Sequence, residues 1–302
     1  MDLRQLKHFA AVAQTLHFGQ AADLLGMTQP PLSQSIKALE AELGMALFQR
    51  SRRSVALTAF GATWLEEVRP VLAQIEALPQ KAAEIREGWA GRLELSFVST
   101  ADYSVLPALV HRYRQLYPDV TLALTEATSD RQIAELVEGK GQVGIIIPQS
   151  DASLPSGFAY RCLLREPLIA AVPESWITEG RIRPENRALA ADRAVRLPLI
   201  VFPRRAAPLF HDLVTGFYTA RGARPEIVQN AIQMQTIISL VSAGMGMALV
   251  PASLRNLARL GVRYLDLTGP VPELETGLIW RQENPAPVLQ NFLNVVTELG
   301  LG

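Results

Sequence analysis

Between Met27 and Gly44 the stretch MTQPPLSQSIKALEAELG sorts its side chains by chemistry at helical spacing. Pro30, Ser33, Gln34 and Lys37 recur at i, i+3, i+4 and i+7, while Leu32, Ile36, Leu39 and Leu43 follow one another at spacings of 4, 3 and 4. One face is therefore polar and the other apolar. Amides and hydroxyls on an exposed helix suit hydrogen bonding to base edges: Gln34 or Gln29 can pair with adenine N6 and N7, and Ser33 can serve base or phosphate. Pro30 and Pro31 fall in the first turn, where a missing N–H has no intrahelical partner to lose, and Thr28 is a suitable N-cap. Further on, Arg50, Arg52 and Arg53 lie close together, a pattern that suits phosphate contacts. A polar face that merely meets water is the competing explanation, so the neighbouring elements must decide.

Those neighbours supply a frame. Leu3, Leu6, Phe9, Ala10, Ala13 and Leu16 recur at helical spacing, which predicts an amphipathic first helix. FGQAADLLG predicts a short second helix with Phe18, Ala21, Ala22 and Leu25 on one face and Gly26 as its stop. Placed third, the polar helix becomes the second member of a helix-turn-helix, the member that enters a major groove. LFQRSRRSVALT reads as two short strands around a tight turn, a wing carrying the arginines. Over residues 1–58 the cations Arg4, Lys7, Lys37, Arg50, Arg52 and Arg53 outnumber the anions Asp2, Asp23, Glu40 and Glu42 by two. The whole chain has a formal net charge of +0, so any affinity for nucleic acid must come from such local charge.

The run AADLLGMTQPPLSQSIKALEAELGMALFQR followed by LTAFG resembles the winged helix-turn-helix of LysR-type transcriptional regulators. That resemblance implies that Thr28, Gln29, Pro30, Ser33, Gln34, Arg50 and Arg53 match the family's DNA-contact positions, and that the proline pair is a common family feature. With Pro31, Lys37 and Arg52 from the residue pattern, these form the expected DNA-binding set.

From Thr58 to about Trp89 the sequence predicts one long helix. Phe60, Trp64, Val71, Ile75, Leu78, Ala82, Ile85 and Trp89 form an apolar stripe that needs a partner, and the same helix of a second subunit is the economical one. Pro70 and Pro79 each remove a backbone hydrogen bond, which predicts a bend near Pro79. The segment WAGR, with Gly88 and Gly91, reads as a hinge.

The remainder alternates strand and helix. LELSFVST, a helix from about Val105 to Tyr117, VTLALTE, the helix DRQIAELVEG and QVGIIIP form one series. LIAAVP from near Leu168, LPLIVFP, a helix from about Pro208 to Arg221, EIVQNA, QTIISLVSAG and MALVP form a second, and LETGLIWRQ with a helix from Val288 to Leu299 returns to the first. Two lobes joined by crossing strands make a cleft, with ligands expected at the C-terminal strand ends. This region resembles the effector-binding domain of the same family, a fold shared with periplasmic solute-binding proteins. FPRRAAPLF, VSTADYSVLP and LTEATSDRQIAELVEG most resemble the branch regulating breakdown of benzoate, catechol and chlorocatechol. Matching positions there imply that Ser99, Thr100, Thr128, Phe202, Pro203 and Arg204 line the cleft. Hydroxyls and free N–H groups at strand ends suit a small anion, Arg204 can add a carboxylate contact, and Phe202 can pack on an unsaturated body. Capping by Ser99 and Thr128, a surface ion pair for Arg204 and a core position for Phe202 are the competing roles.

The expected architecture is thus α/β. An N-terminal α-helical, winged helix-turn-helix spans 1–58, a linker and dimerisation helix 59–89, and a two-lobed periplasmic-binding-protein-like effector domain 90–302. Lobe I takes about 90–162 and 269–302, and lobe II about 163–268. An enzyme is not expected: His8, His17, His111 and His211 are scattered without metal-ligand spacing, and no GxSxG, GxGxxG or phosphate loop occurs. Gly244-Met245-Gly246 lies between a helix and a strand, the reverse of a dinucleotide site, and reads as a turn. No cofactor and no metal are implied. The single cysteine, Cys162, cannot close an intrachain disulfide, and neither a signal peptide nor a spanning segment is evident, so a cytosolic setting is expected. By resemblance the partners are double-stranded DNA, a small organic anion, RNA polymerase and further copies of the chain, as homodimer and homotetramer.

Overall fold

The computed structural model describes residues 1–51, 54–148, 155–283 and 285–301. Two compact units divide at Ala83/Glu84.

The first unit opens with three helices, α1 (Leu3–Thr15), α2 (Phe18–Leu24) and α3 (Gln29–Leu43). Asp2 and Gln5 cap α1 reciprocally, each side chain accepting from the other's backbone N–H at 2.8 and 2.9 Å. Thr28 holds the N-cap position of α3 in extended geometry but makes no side-chain cap bond, and the prolines follow within the first turn. The apolar face of α3 does what its spacing predicts: Leu32, Ile36 and Leu39 are each 0% exposed, packed with Phe9, Val12 and Leu47. Burial of that kind contributes about 1.5–3 kcal/mol per side chain. The wing is the antiparallel pair β1 (Phe48–Arg50) and β2 (Val55–Leu57). Thr58 then accepts from Gly61 N–H at 2.8 Å and starts α4 (Ala59–Glu87), which runs unbroken through Pro70 and Pro79. Leu65, Val68 and Leu72 of α4 close the head's core, whereas Val71, Leu78 and Ile85 are exposed.

The second unit is a mixed α/β body. β3 (Ala90–Phe97) lies parallel to β4 (Asp119–Glu126) and β5 (Val143–Ile146), with a 3-10 helix (Ser99–Tyr103), α5 (Leu106–Leu116) and α6 (Ser129–Val137) between them. β6 (Phe158–Pro173) follows, then α7 (Glu174–Thr178), β7 (Ala188–Ala190), α8 (Ala191–Ala194), β8 (Leu199–Val201) and α9 (Pro208–Thr219). β9 (Ile227–Asn230), α10 (Met234–Ser242), β10 (Ala248–Pro251), a further 3-10 helix (Ala252–Leu257), β11 (Val262–Thr268), β12 (Glu273–Arg281) and α11 (Pro287–Glu298) follow.

One strand ties the two lobes together. β6 pairs antiparallel with β12 through residues 158–167, then changes partners at Pro167/Leu168 and pairs with β10 and β11. The main sheet therefore runs β4-β3-β5-β12-β6-β11-β7 through both lobes. Two cores flank the change of partner. Leu93, Leu95, Tyr113, Leu278 and Phe292 belong to lobe I, and Ile169, Ile200, Val214, Tyr218 and Ile238 to lobe II. The apolar run LIAAVP, expected from sequence to begin the strand near Leu168, marks only its second part; β6 starts ten residues earlier at Phe158. Arg161, Cys162, Arg165 and Glu166 interrupt the apolar pattern in the half that crosses between lobes, where burial is mixed.

Candidate nucleic-acid interface and effector cleft

The polar face of α3 is open to solvent. Thr28, Gln29, Pro30, Pro31, Gln34 and Lys37 are exposed and Ser33 is half-buried. Arg52 and Arg53 lie outside the described residues. Arg50 is half occupied within the chain: one nitrogen donates to Glu40 Oε2 at 2.9 Å, and the guanidinium sits 4.9 Å from the centre of the Phe18 ring. Glu40, on α3, also accepts through Oε1 from the N–H groups of Leu47 and Phe48, at 2.9 and 3.2 Å. One carboxylate thus clasps α3 to the wing. Sequence reasoning counted Glu40 only as a charge, since its partners are made by the fold.

Two more contacts escaped the sequence. His8 of α1 is buried and its Nδ1 lies 2.8 Å from Ser35 Oγ on α3. Burial and the nearby Arg4 charge lower the His8 pKa, against a smaller raising effect of Asp2. A Cβ on Gly61 would meet Leu47 O at 2.1 Å, so the glycine of LTAFG permits α4 to approach the wing closely.

In the second unit three strand ends converge. Val98 N–H donates to Ile145 O, Ala127 N–H to Phe97 O and Ile147 N–H to Ser129 Oγ, each at 3.0 Å. This brings Ser99 and Thr100, after β3, to the same edge as Thr128, after β4. Thr128 is exposed at the N-cap position of α6 and makes no side-chain cap bond. Thr100 is only 6% exposed and its Oγ1 is buried without a hydrogen-bond partner. Gln132, unflagged by the sequence reading, is 1% exposed and fastens these ends together, its Nε2 donating to Ala127 O and Ile145 O at 2.8 and 3.1 Å.

The lobe II candidates are placed differently. Phe202 is 5% exposed in the lobe II core, its ring 5.5 Å from that of Phe210 in a T-shaped arrangement. Pro203 is half-buried and its carbonyl accepts from Ala206 N–H at 2.9 Å. Arg204 is exposed and forks onto Asp212, with nitrogen–oxygen distances of 2.8 and 2.9 Å. The bond to Arg204 holds the Asp212 carboxyl down at about 2, with His211 adding to the effect.

Between the lobes runs a strap. Asn256 Nδ2 donates to Tyr103 O at 2.8 Å, and the Tyr103 phenol bonds the side chain of Gln235. Tyr103 ends the 3-10 helix that Ser99 and Thr100 begin, yet it packs against the lobe II core. On the lobe II side, Ser253 donates its N–H and hydroxyl to Glu166 of β6 at 2.5 and 3.0 Å. Among the described residues no helix is long and apolar enough to cross a membrane.

Known proteins share this arrangement. Residues 3–62 match the family described as bacterial regulatory helix-turn-helix protein, lysR family, and residues 86–300 match the LysR substrate binding domain. The chain is 59% identical over 300 residues to the HTH-type transcriptional regulator IlvR of Caulobacter vibrioides, covering 99% of both chains. It is 35% identical to the HTH-type transcriptional regulator AlsR of Bacillus subtilis, covering 98% of this chain and 95% of that one. Among solved structures, full-length CbnR complexed with its target DNA is similar at a TM-score of 0.75 and 28% identity, covering 99% of each chain. The relatives are named as transcriptional regulators and not as enzymes, and the two matched families span nearly all of this sequence. The chain belongs to the LysR family: it is a LysR-type DNA-binding transcriptional regulator with an N-terminal helix-turn-helix and a C-terminal effector-binding domain.

Proposed function

We propose that α3 reads a major groove through Gln29, Ser33 and Gln34, with Thr28, Pro30, Pro31 and Lys37 setting its approach and Arg50, Arg52 and Arg53 holding phosphates. The exposed polar face of α3 over the buried Leu32, Ile36 and Leu39 supports this reading. A second copy pairs along α4, where Val71, Ile75, Leu78, Ala82 and Ile85 alternate at 4 and 3, the spacing of a two-helix seam. Two dimers form a tetramer on an imperfect palindrome, bend the DNA and present RNA polymerase with an altered complex, in the cytoplasm where that DNA lies.

The effector is a small organic carboxylate held at the strand ends by Ser99, Thr100 and Thr128. The observation that carries this is the buried, unpartnered Thr100 Oγ1, because such a hydroxyl costs about 1–3 kcal/mol unless a ligand satisfies it. Phe202, Pro203 and Arg204 enter the site only in an arrangement that frees Arg204 from Asp212. The narrower likeness to regulators of benzoate, catechol and chlorocatechol breakdown is a distant fit. The 59% identity is to IlvR, and other matches spread across the family at 30–35%.

The effector shifts the regulator only by binding one arrangement of the lobes better than another. A gel shift on the DNA upstream of the chain's own gene tests the DNA reading: retention that falls steeply with salt is expected, and no retention at low salt sinks it. A thermal-shift screen with muconate, benzoate, salicylate and chlorinated relatives tests the carboxylate reading.

A further inference from the structure

A helix ends with carbonyls that have no intrahelical partner, and something must satisfy them. The linker helix α4 ends at Glu87, and its last turn groups with the effector-binding unit rather than with the head. Asn291 of α11, more than 200 residues further along the chain, donates Nδ2 to both Glu87 O and Gly88 O, at 3.0 and 3.1 Å. Gly88 has a left-handed φ of +75°, and a Cβ there would lie 2.6 Å from Pro287 C and 2.7 Å from Asn291 Nδ2. Trp89 N–H reaches back to Glu84 O at 2.8 Å, closing the helix end.

The packing continues past the cap. The Trp89 ring lies 5.1 Å from Tyr117, Tyr117 lies 4.9 Å from Tyr113, and Tyr113 lies 5.4 Å from Phe292. Tyr113 OH donates to Val288 O at 2.8 Å, and a Cβ on Gly91 would touch Val288 Cγ1 at 3.3 Å. The packing against the first turns of α11 is thus tightest at buried Gly88, while Trp89, Gly91 and Arg92 of the WAGR segment, which reads from sequence as a hinge, keep an exposed side. α11 is the next helix in the chain after β12, the strand that pairs with β6 between the lobes.

We propose that Asn291 and Gly88 are a positioning pair that makes the last turn of the linker helix one body with lobe I. A rearrangement of the lobes then passes into α4 instead of being absorbed at the junction. This rests on the regulator reading above. Asn291 is a positioning residue: it acts through the backbone carbonyls of the helix end and is not among the candidate effector residues.

The test uses the full chain with Asn291→Ala. Arg86 and Arg92 flank the joint and their side chains are 76% and 61% exposed, so trypsin reports its opening. Losing two hydrogen bonds should speed cleavage there by about tenfold, with other sites cut at wild-type rates and the melting temperature nearly unchanged. On the DNA upstream of the gene, affinity should stay within about threefold while footprint length and bend angle change, a readout that a merely structural role would not move. Unchanged cleavage overturns the joint, and faster cleavage with a wild-type footprint overturns transmission through it. If Asn291→Ala does not fold, Asn291→Asp keeps the size, loses the donor and carries the same expectations. If the wild type leaves no footprint, the regulator reading of that DNA fails, and the cleavage rates still decide the joint.

Discussion

The Tyr160 ring of β6 fills the space in which Gly277 of β12 would carry a Cβ: its hydroxyl lies 2.1 Å from that point and donates to Glu275 Oε1 at 2.7 Å. Gly277 also sits at the one register shift in the β6–β12 ladder. The glycine thus admits an aromatic ring where the two strands cross between lobes. Burial, reinforced by the bond to the Glu275 carboxylate, pushes the Tyr160 phenol well above its usual pKa, so it stays a donor. Gly277→Ala should destabilise the effector-binding unit by about 1–3 kcal/mol through overpacking, measured by urea unfolding. Tyr160→Phe should not rescue it, since ring carbons remain 2.2 and 2.4 Å from the new methyl, whereas Tyr160→Ala should recover part of the loss.

Gln34→Ala should weaken binding to the upstream DNA by about 1–3 kcal/mol and leave binding to random duplex nearly unchanged, as measured by fluorescence anisotropy. Arg53→Ala should instead lower both and flatten the dependence on salt by roughly one phosphate contact. Equal losses on both DNAs for Gln34→Ala would remove it from the groove.

Thr100→Val offers a test by sign. It removes a buried hydroxyl that has no partner, so the unliganded protein should be as stable as wild type or more stable by roughly 1 kcal/mol. The stabilisation given by a carboxylate that works in the thermal-shift screen should nevertheless disappear. A variant that melts earlier, or still responds fully, would show that the hydroxyl has another role.

Asp212 sets a low-pH signature. Its folded pKa of about 2 lies below the ordinary carboxylate value of 3.8, so its contribution is complete above that value and is lost as pH falls toward 2. In Arg204→Ala the Asp212 carboxyl should titrate nearer its ordinary value, with His211 as the remaining partner. Carboxyl carbon NMR against pH measures this directly, and an unmoved Asp212 would assign the depression elsewhere.

How far the sequence speaks varies with the kind of contact. The head was legible because its chemistry is local: Leu32, Ile36 and Leu39 turn inward by helical period, and Gln34 and Lys37 turn outward by the same rule. The lobes were legible as alternating strands and helices, but the crossing half of β6 was not. Its mixed burial erases the alternation that marks a strand. Phe202 meets Phe210 and Arg204 meets Asp212, each eight residues further along, contacts set by the turn into α9 and not by residue type. Glu40, Gln132 and Asn291 had no local signal, since each acts on backbone groups that tertiary folding brings to it.

The core of lobe I joins Leu93 and Leu95 of β3 to Phe292, Val295 and Val296 of α11, while lobe II lies wholly between them in the chain. During synthesis from the amino end, lobe I therefore begins first and finishes last. Its early strands must wait, half covered, until α11 has left the ribosome. Messages cut short before α11 would thus yield chains with a finished head and lobe II but an open lobe I, a natural target for quality-control proteases.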